Sequence, residues 1–428
     1  MKRNVFVVAL EEQQRQEFKT LRRARELSVH GLLDVSTAVE PPEKISFHRL
    51  MEQARKELED HGGPVDAIVA HWDFPTSVMV PLLCKEYGIP SPSAESVLTC
   101  EHKYWSRLEQ QRVIPECVPA FCSVDPFAEN PLEQVTLDFP FWLKPVKAFS
   151  SQLGFKVENE AQFQEAIETM RQEIRHFGDP FNEALSYIDL PADLEGCDGN
   201  TCIAEQLVSG IQAAPEGTMF QGEFNVHGII AQGRSAEEGL FDRLEYPSHL
   251  PEKIHRRMIG ICKTFLTHIG FDNGCFNAEF MWDEKTDQLW LIEFNTRISQ
   301  SHSEIFIMVD GMSNHEVAID IALNERPSLP NREGHYPVAA KCYIPYEHKD
   351  GIVTRVPSAE EIQALRERFP GTEVKLAVHE GSRLSELPNQ DAFSYQLGTL
   401  YIAAEEHEQI QERYDACLEA LRFEIDPV

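Results

Sequence analysis

Two short runs face each other across a polar turn: CFNAEFMWD (275–283) and LWLIEFNTRI (289–298), joined through DEKTDQ. Rich in apolar and aromatic residues and separated by so few positions, they predict an antiparallel hairpin. Successive side chains of a strand point to opposite faces. Alternation then puts Trp290, Ile292 and Phe294 on one face and Glu293, Asn295 and Arg297 on the other. On the partner run, Phe276, Ala278, Phe280 and Trp282 oppose Asn277 and Glu279. A loop of three or five residues centred on Thr286 places Glu279 opposite Glu293, and Asn277 opposite Asn295.

Two carboxylates facing each other across a ladder stand about 5 Å apart and repel. A half-buried strand pair carries them only with compensation, and a divalent cation supplies it. Mg²⁺ takes hard oxygens, typically one or two carboxylates with phosphate oxygens and water. Glu279, Glu293 and the Asn295 amide oxygen suit that need. Arg297, one step further on the same face, is placed to hold an anion beside the metal. The alternative is a solvated polar face in which Arg297 pairs with a glutamate.

A second constellation lies in FWLKPVKAFSSQLGF (141–155). A strand delivers Lys144, and a turn with Ser150, Ser151 and Gly154 follows. Lysine is a compact charge suited to phosphate, and successive backbone N–H groups in a turn make an anion nest. The tract is not a Walker A sequence. A third, TCIAEQLVSG (201–210), is a strand ending near Glu205, with main chain at Gln206 and Leu207 available to a ligand edge.

Strands and helices alternate in the first hundred residues. NVFVVAL (4–10) and VDAIVAH (65–71) read as strands, FHRLMEQARKELEDH (47–61) and TSVMVPLLCKEYG (76–88) as helices. That order predicts an α/β layer with a parallel sheet. It lacks GxGxxG, so nothing marks it as a dinucleotide site. IPSPSAESV (89–97) reads as a junction. Beyond it come a lysine-bearing helix with Lys103, a helical stretch at 158–177 and an acidic, turn-rich tract at 178–200 that reads as an irregular insertion. A helix at 256–270 precedes the hairpin. The last hundred residues read as β-rich and end in a helix. The expected domains are 1–100, 101–330 and 331–428.

The charge balance limits partners. Seventy acids stand against 39 bases, a formal net charge of −31. That argues against nucleic acid and anionic membranes, which select basic surfaces. No run of about 18 apolar residues is present to span a membrane. Ten cysteines without CxxC or zinc spacing predict a reduced, cytoplasmic protein.

Taken in order, these pieces resemble the ATP-grasp superfamily of ligases over most of the chain, with EFNTRI (293–298) similar to its E-x-N-x-R signature in the biotin-carboxylase-like branch. The resemblance implies an α/β (α+β) ATP-grasp fold with an N-terminal Rossmann-like domain, a lid subdomain at about 123–208 and a C-terminal β-rich subdomain. It implies ATP and Mg²⁺ (or Mn²⁺) as cofactors, and a small carboxylate and an amine as substrates. Lys103 and Lys144 would bind the ATP phosphates, and the Phe149–Gly154 loop, with Ser150, Ser151 and Gly154, would close over them. Glu205, Gln206 and Leu207 would hold the adenine. Glu279, Glu293 and Asn295 would bind one or two metal ions, and Arg297 would stabilise an acyl phosphate. A homodimer is the assembly common among such enzymes. Two departures stand out. The acid that binds ribose is replaced by Gln212. Ser301 stands where biotin carboxylases carry the glutamate that deprotonates bicarbonate, while the following His302 is kept, either as a substrate contact or as a structural group. Serine is a poor general base. The resemblance therefore favours a carboxylate–amine ligase over a biotin-dependent carboxylase, with a non-catalytic nucleotide-binding protein as the alternative of another class.

Overall fold

The structure is a computed structural model; it describes residues 2–39, 46–148, 153–233, 243–329, 332–347, 349–387 and 394–428. The chain forms two compact units: 1–227 with 252–299 and 315–328, and 228–251 with 300–314 and 329–428. The described residues are mixed α/β, and the ten cysteines are thiols rather than disulfides.

The first unit begins with a parallel sheet in the order Leu27–Leu32, Arg3–Val8, Ala67–Val69. Val5, Phe6, Val7 and Val8 of its central strand are all buried, as expected for a strand covered on both faces. The helix Phe47–His61 has the predicted bounds. Ser46 caps its first turn and Gly62 ends it in the left-handed conformation (φ 65°). Thr76–Tyr87 ends the same way at Gly88. The strand Leu27–Leu32 was not foreseen, because LSVHGL alternates weakly and follows a run of charge.

A four-stranded antiparallel sheet follows, in the order Phe121–Val124, Cys202–Gln206, Phe141–Pro145, Phe155–Val157. Helix Glu160–Glu173 packs Phe163, Ala166, Ile167 and Met170 onto it. The tract expected to be irregular from 178 onward is helical at its start, since a helix runs Arg175–Leu185 with Pro180 inside it. Phe177, Phe181, Ala184 and Leu185 recur at helical spacing and are buried, so packing overrides the local breakers. Gly178 is required there: a Cβ would lie 2.5 Å from the Gly199 carbonyl oxygen.

The hairpin is present as Gly274–Asp283 and Gln288–Asn295, with Ile211–Phe220 on the other side of its first strand. Asn277 pairs with Asn295 and Glu279 with Glu293, as expected. The turn is different. Asp283 pairs with Gln288, so four residues, 284–287, form the loop, and a β-bulge between Glu279 and Phe280 restores the expected register. Ile292 is the extra residue. The predicted faces therefore hold only in part: Leu289, Leu291 and Phe294 enter the core, while Trp290 and Ile292 do not. Phe276, Ala278, Phe280 and Trp282 are buried as anticipated. Helix Glu252–His268 stacks Phe265 on Phe294 at 4.8 Å.

In the second unit, Arg243–Tyr246, Val338–Glu347, Ser394–Ala404 and Thr372–Leu376 lie side by side, antiparallel. One face of this sheet packs Val338, Ala340, Cys342, Leu400 and Ile402 with Leu365 and Tyr414. The other face meets Ile305, Phe306 and Val309 of the helix Ser303–Asp310. No helix among the described residues is long and apolar enough to cross a membrane.

Candidate active site

A cavity of about 620 Å³ within the first unit collects most of the charged residues singled out above. Lys103, Lys144, Gly154, Glu205, Gln206, Leu207, Glu279, Glu293, Asn295 and Arg297 all line it. Trp142, Val208, Met281 and Ile292 add apolar walls. Ser150 and Ser151 lie outside the described residues. Gln212 stands next to the cavity and donates from its amide to Glu279 (3.3 Å). His302 belongs to the second unit, where it is buried with its ring edge-on to Phe306 at 6.2 Å. His227 bonds to the buried Glu216 (3.4 Å), consistent with a structural role.

Each lysine reaches the cavity for a local reason. Lys103 opens the helix Lys103–Val113, whose first turn is capped by the His102 ring accepting from the Trp105 N–H. That bond needs an unprotonated nitrogen, and burial lowers the His102 pKa to about 4. The Lys103 ammonium donates to the Ala148 carbonyl (3.2 Å) and lies 3.5 Å from Glu293. Burial pushes its pKa down, Glu293 opposes that shift, and Lys147 and Lys144 add to it. Lys144 projects from the strand Phe141–Pro145 to within 2.5 Å of Glu205.

The two hairpin carboxylates differ in charge. Burial, and then the Glu293 charge, raise the Glu279 pKa to about 7. Burial opposes the Glu293 charge as well, but Lys103, Lys144 and Lys147 together hold its pKa below the usual range. The compensation expected from the opposed pair is thus supplied in part by three lysines. Among the described residues no group of three or more His, Cys, Asp or Glu side chains is arranged to hold a metal. The donors at the hairpin are two carboxylates and one amide. That set fits Mg²⁺, which completes its shell with ligand oxygens and water, and the register that sets Glu279 opposite Glu293 crowds negative charge there.

Arg297 is paired, but not with a glutamate. Its Nε donates to Asp73 Oδ1 (2.7 Å) and its Nη2 to Asp73 Oδ2 (2.8 Å), a two-pronged bond across 224 positions of sequence. Burial opposes the Asp73 charge, yet Arg297 lowers its pKa to about 2. Sequence reasoning missed Asp73, and also Lys147, which lines the cavity and pairs with the buried Glu101. The run HWDFP after the third parallel strand was a faint signal for Asp73, since ligand contacts often gather past the carboxyl ends of such strands.

Arg107 is the other omission, and it explains the bulge. Its Nε lies 2.5 Å from Glu205, while Nη1 and Nη2 donate to the carbonyls of Leu291 (2.9 Å) and Ile292 (2.8 Å). The irregular stretch of the hairpin is therefore satisfied by a guanidinium from a helix. Glu205 stands between Arg107 and Lys144, and the Gln206 N–H is engaged by the Ala120 carbonyl (2.8 Å). Burial opposes the Glu205 charge, but Arg107 and Lys144 hold its pKa at about 2, against 4.5 ordinarily. A lowered carboxylate pKa stabilises the fold above the unfolded value and loses that contribution as pH falls through the folded one. The contribution, on the order of 3 kcal/mol, is expected to disappear between about pH 4.5 and 2. Glu205→Gln should lower neutral-pH stability by about 3–5 kcal/mol, because two cations lose their buried partner, and should flatten that acid limb. Urea midpoints against pH test this; an unchanged acid limb in the variant would remove Glu205 as its source.

Part of the chain matches a known family, and its fold resembles that of solved structures. Residues 137–304 match the family model for the ATP-grasp domain. No curated protein matches. Among solved structures, an L-amino acid ligase from Bacillus licheniformis is similar at TM-score 0.71 and 16% identity, over 99% of this chain and 98% of that one. A biotin carboxylase from Campylobacter jejuni in a β-γ-ATP complex gives 0.62 and 16%, over 99% and 92%. An N5-carboxyaminoimidazole ribonucleotide synthetase from Thermotoga maritima gives 0.64 and 13%, over 99% of both chains. At these identities the likeness concerns the fold. Residues 137–304 are an ATP-grasp domain, and the chain has the ATP-grasp fold.

Proposed function

We propose that this protein is an ATP- and Mg²⁺-dependent carboxylate–amine ligase, with amino acids among its candidate acids. The observation that carries the reading is the opposed pair Glu279 and Glu293, next to Asn295 and Arg297, in a cavity that also holds Lys103, Lys144 and Lys147. In this reaction a substrate carboxylate oxygen attacks the γ-phosphorus of ATP, and ADP leaves. The amine nitrogen then attacks the acyl carbon, phosphate leaves with the bonding electrons, and the ammonium proton passes to solvent. Both steps build charge on phosphoryl and acyl oxygens, so catalysis of this kind rests on positioning and neutralisation.

The residues divide that work. Lys103 and Lys144 hold the ATP phosphates, and Lys147 adds a third positive charge, with Glu101 fixing its ammonium. Trp142, Leu207, Val208, Met281 and Ile292 give a flat base apolar surfaces. Glu279, Glu293 and Asn295 would hold Mg²⁺, which would supply positive charge to the phosphate oxygens. Arg297, held in a fixed plane by Asp73, offers its remaining N–H groups to the acyl phosphate. Ser301 at the position of the carboxylase glutamate supports an amine, rather than bicarbonate, as the second substrate.

The test is a phosphate-release screen of the full chain with ATP, Mg²⁺ and pairs of amino acids and small organic acids. ADP and phosphate should form in equal amounts, and only when both an acid and an amine are present. Stimulation by biotin with bicarbonate instead would overturn the reading in favour of a carboxylase. Absence of Mg²⁺-ATP binding by calorimetry would leave a non-enzymatic role.

A further inference from the structure

The sheet of the second unit carries a group of side chains that the proposed reaction does not use. Lys341 pairs across the ladder with Tyr401, and Tyr401 with Glu373. Tyr343 pairs with Thr399, and Thr399 with Lys375. Directly paired residues share a face, as do residues two apart on one strand. Two ammonium groups and three hydroxyl-bearing side chains therefore stand together on the face bordered by the helix Ser303–Asp310. The Lys341 Nζ lies over the Tyr343 ring at 4.9 Å and the Lys375 Nζ over the Tyr401 ring at 5.1 Å.

The charges on this face do not balance. Lys375 reaches Glu304 at 2.8 Å. Glu373 is turned to Arg366 at 2.5 Å. Lys341 is half-buried, and among the described residues its ammonium meets no carboxylate, only the Tyr343 ring. Burial, and then the Lys375 charge, lower its pKa to about 8. Buried charges are normally paired, since desolvation is costly, so a half-buried ammonium that meets a ring and no carboxylate calls for an anion from outside the chain. We propose that Lys341 and Lys375, with the hydroxyls of Tyr343, Thr399 and Tyr401, bind an anionic oxygen group of a small molecule, a carboxylate or a phosphate. The inference does not depend on the ligase reading, because it concerns residues outside the ATP-grasp cavity.

Competitive labelling of lysines in the full chain with acetic anhydride, read peptide by peptide by mass spectrometry across pH, tests this in the presence of inorganic phosphate or of succinate. The exposed Lys263 serves as the internal reference. Without anion, Lys341 should titrate below the ordinary lysine range. A bound anion should raise its apparent pKa by about one unit, slowing its labelling about tenfold below that pKa. Protection by phosphate alone assigns a phosphate site, by succinate alone a carboxylate site, and by both a general anion site. Lys375→Met should raise the apparent pKa of Lys341 in the absence of anion and abolish the protection. Labelling of Lys341 that neither anion alters, or protection that survives Lys375→Met, overturns the proposal.

Discussion

Glu293→Ala is expected to lower ATP-dependent turnover by about 10²–10³-fold, the size of loss seen when one preorganised group that stabilises developing charge is removed. The effect on stability should be much smaller, and the structure gives the reason. Glu293 repels Glu279 across the ladder, so its removal relieves the carboxylate whose pKa is pushed up to about 7. Against this, Lys103 loses the charge 3.5 Å away. The two changes oppose each other. Phosphate release and the urea midpoint should be measured on the same preparation. Near-normal turnover would exclude Glu293 from the proposed metal site, and a large fall in midpoint would make it a structural anchor instead.

Arg297→Lys should cost a comparable factor in turnover, about 10²–10³-fold, although charge is kept. An ammonium cannot reproduce two parallel N–H bonds to Asp73 and still present a donor to a substrate oxygen. The pairing yields a second measurement. Asp73→Asn leaves Arg297 charged but deprives it of the carboxylate that fixes its plane. That variant should lose kcat while ATP binding, measured by calorimetry, stays near normal. An Arg297→Lys enzyme with wild-type kcat would show that guanidinium geometry plays no part in the reaction.

Much of the placement of the candidate site was legible because it rests on local alternation. A strand can send Glu293, Asn295 and Arg297 to one face by spacing alone, and a hairpin turn sets which residue opposes which. Even there, the agreement came through a compensation. The loop holds four residues rather than three or five, and Ile292 supplies the extra position that brings Glu279 back opposite Glu293. The partners of the charged groups were not legible. Arg107, Asp73, Glu101 and Lys147 sit in stretches with no pattern of their own, and they matter only because folding brings them to Glu205, Arg297 and each other.

The sequence by itself determined the α/β order of elements, the helix ends at Gly62 and Gly88, and the grouping of carboxylates, amide and arginine on one hairpin face. Each follows from interactions among residues a few positions apart. The tertiary structure alone decided how those charges are balanced. It placed Asp73 against Arg297 across 224 positions and Arg107 against the bulge carbonyls across 184 and 185. It also converted the breaker-rich start of the 178–200 tract into helix by burying Phe181, Ala184 and Leu185. The physical reason is the same in each case. The energy of a buried charge or an apolar stripe depends on what covers it, and the covering groups come from parts of the chain that no local pattern connects.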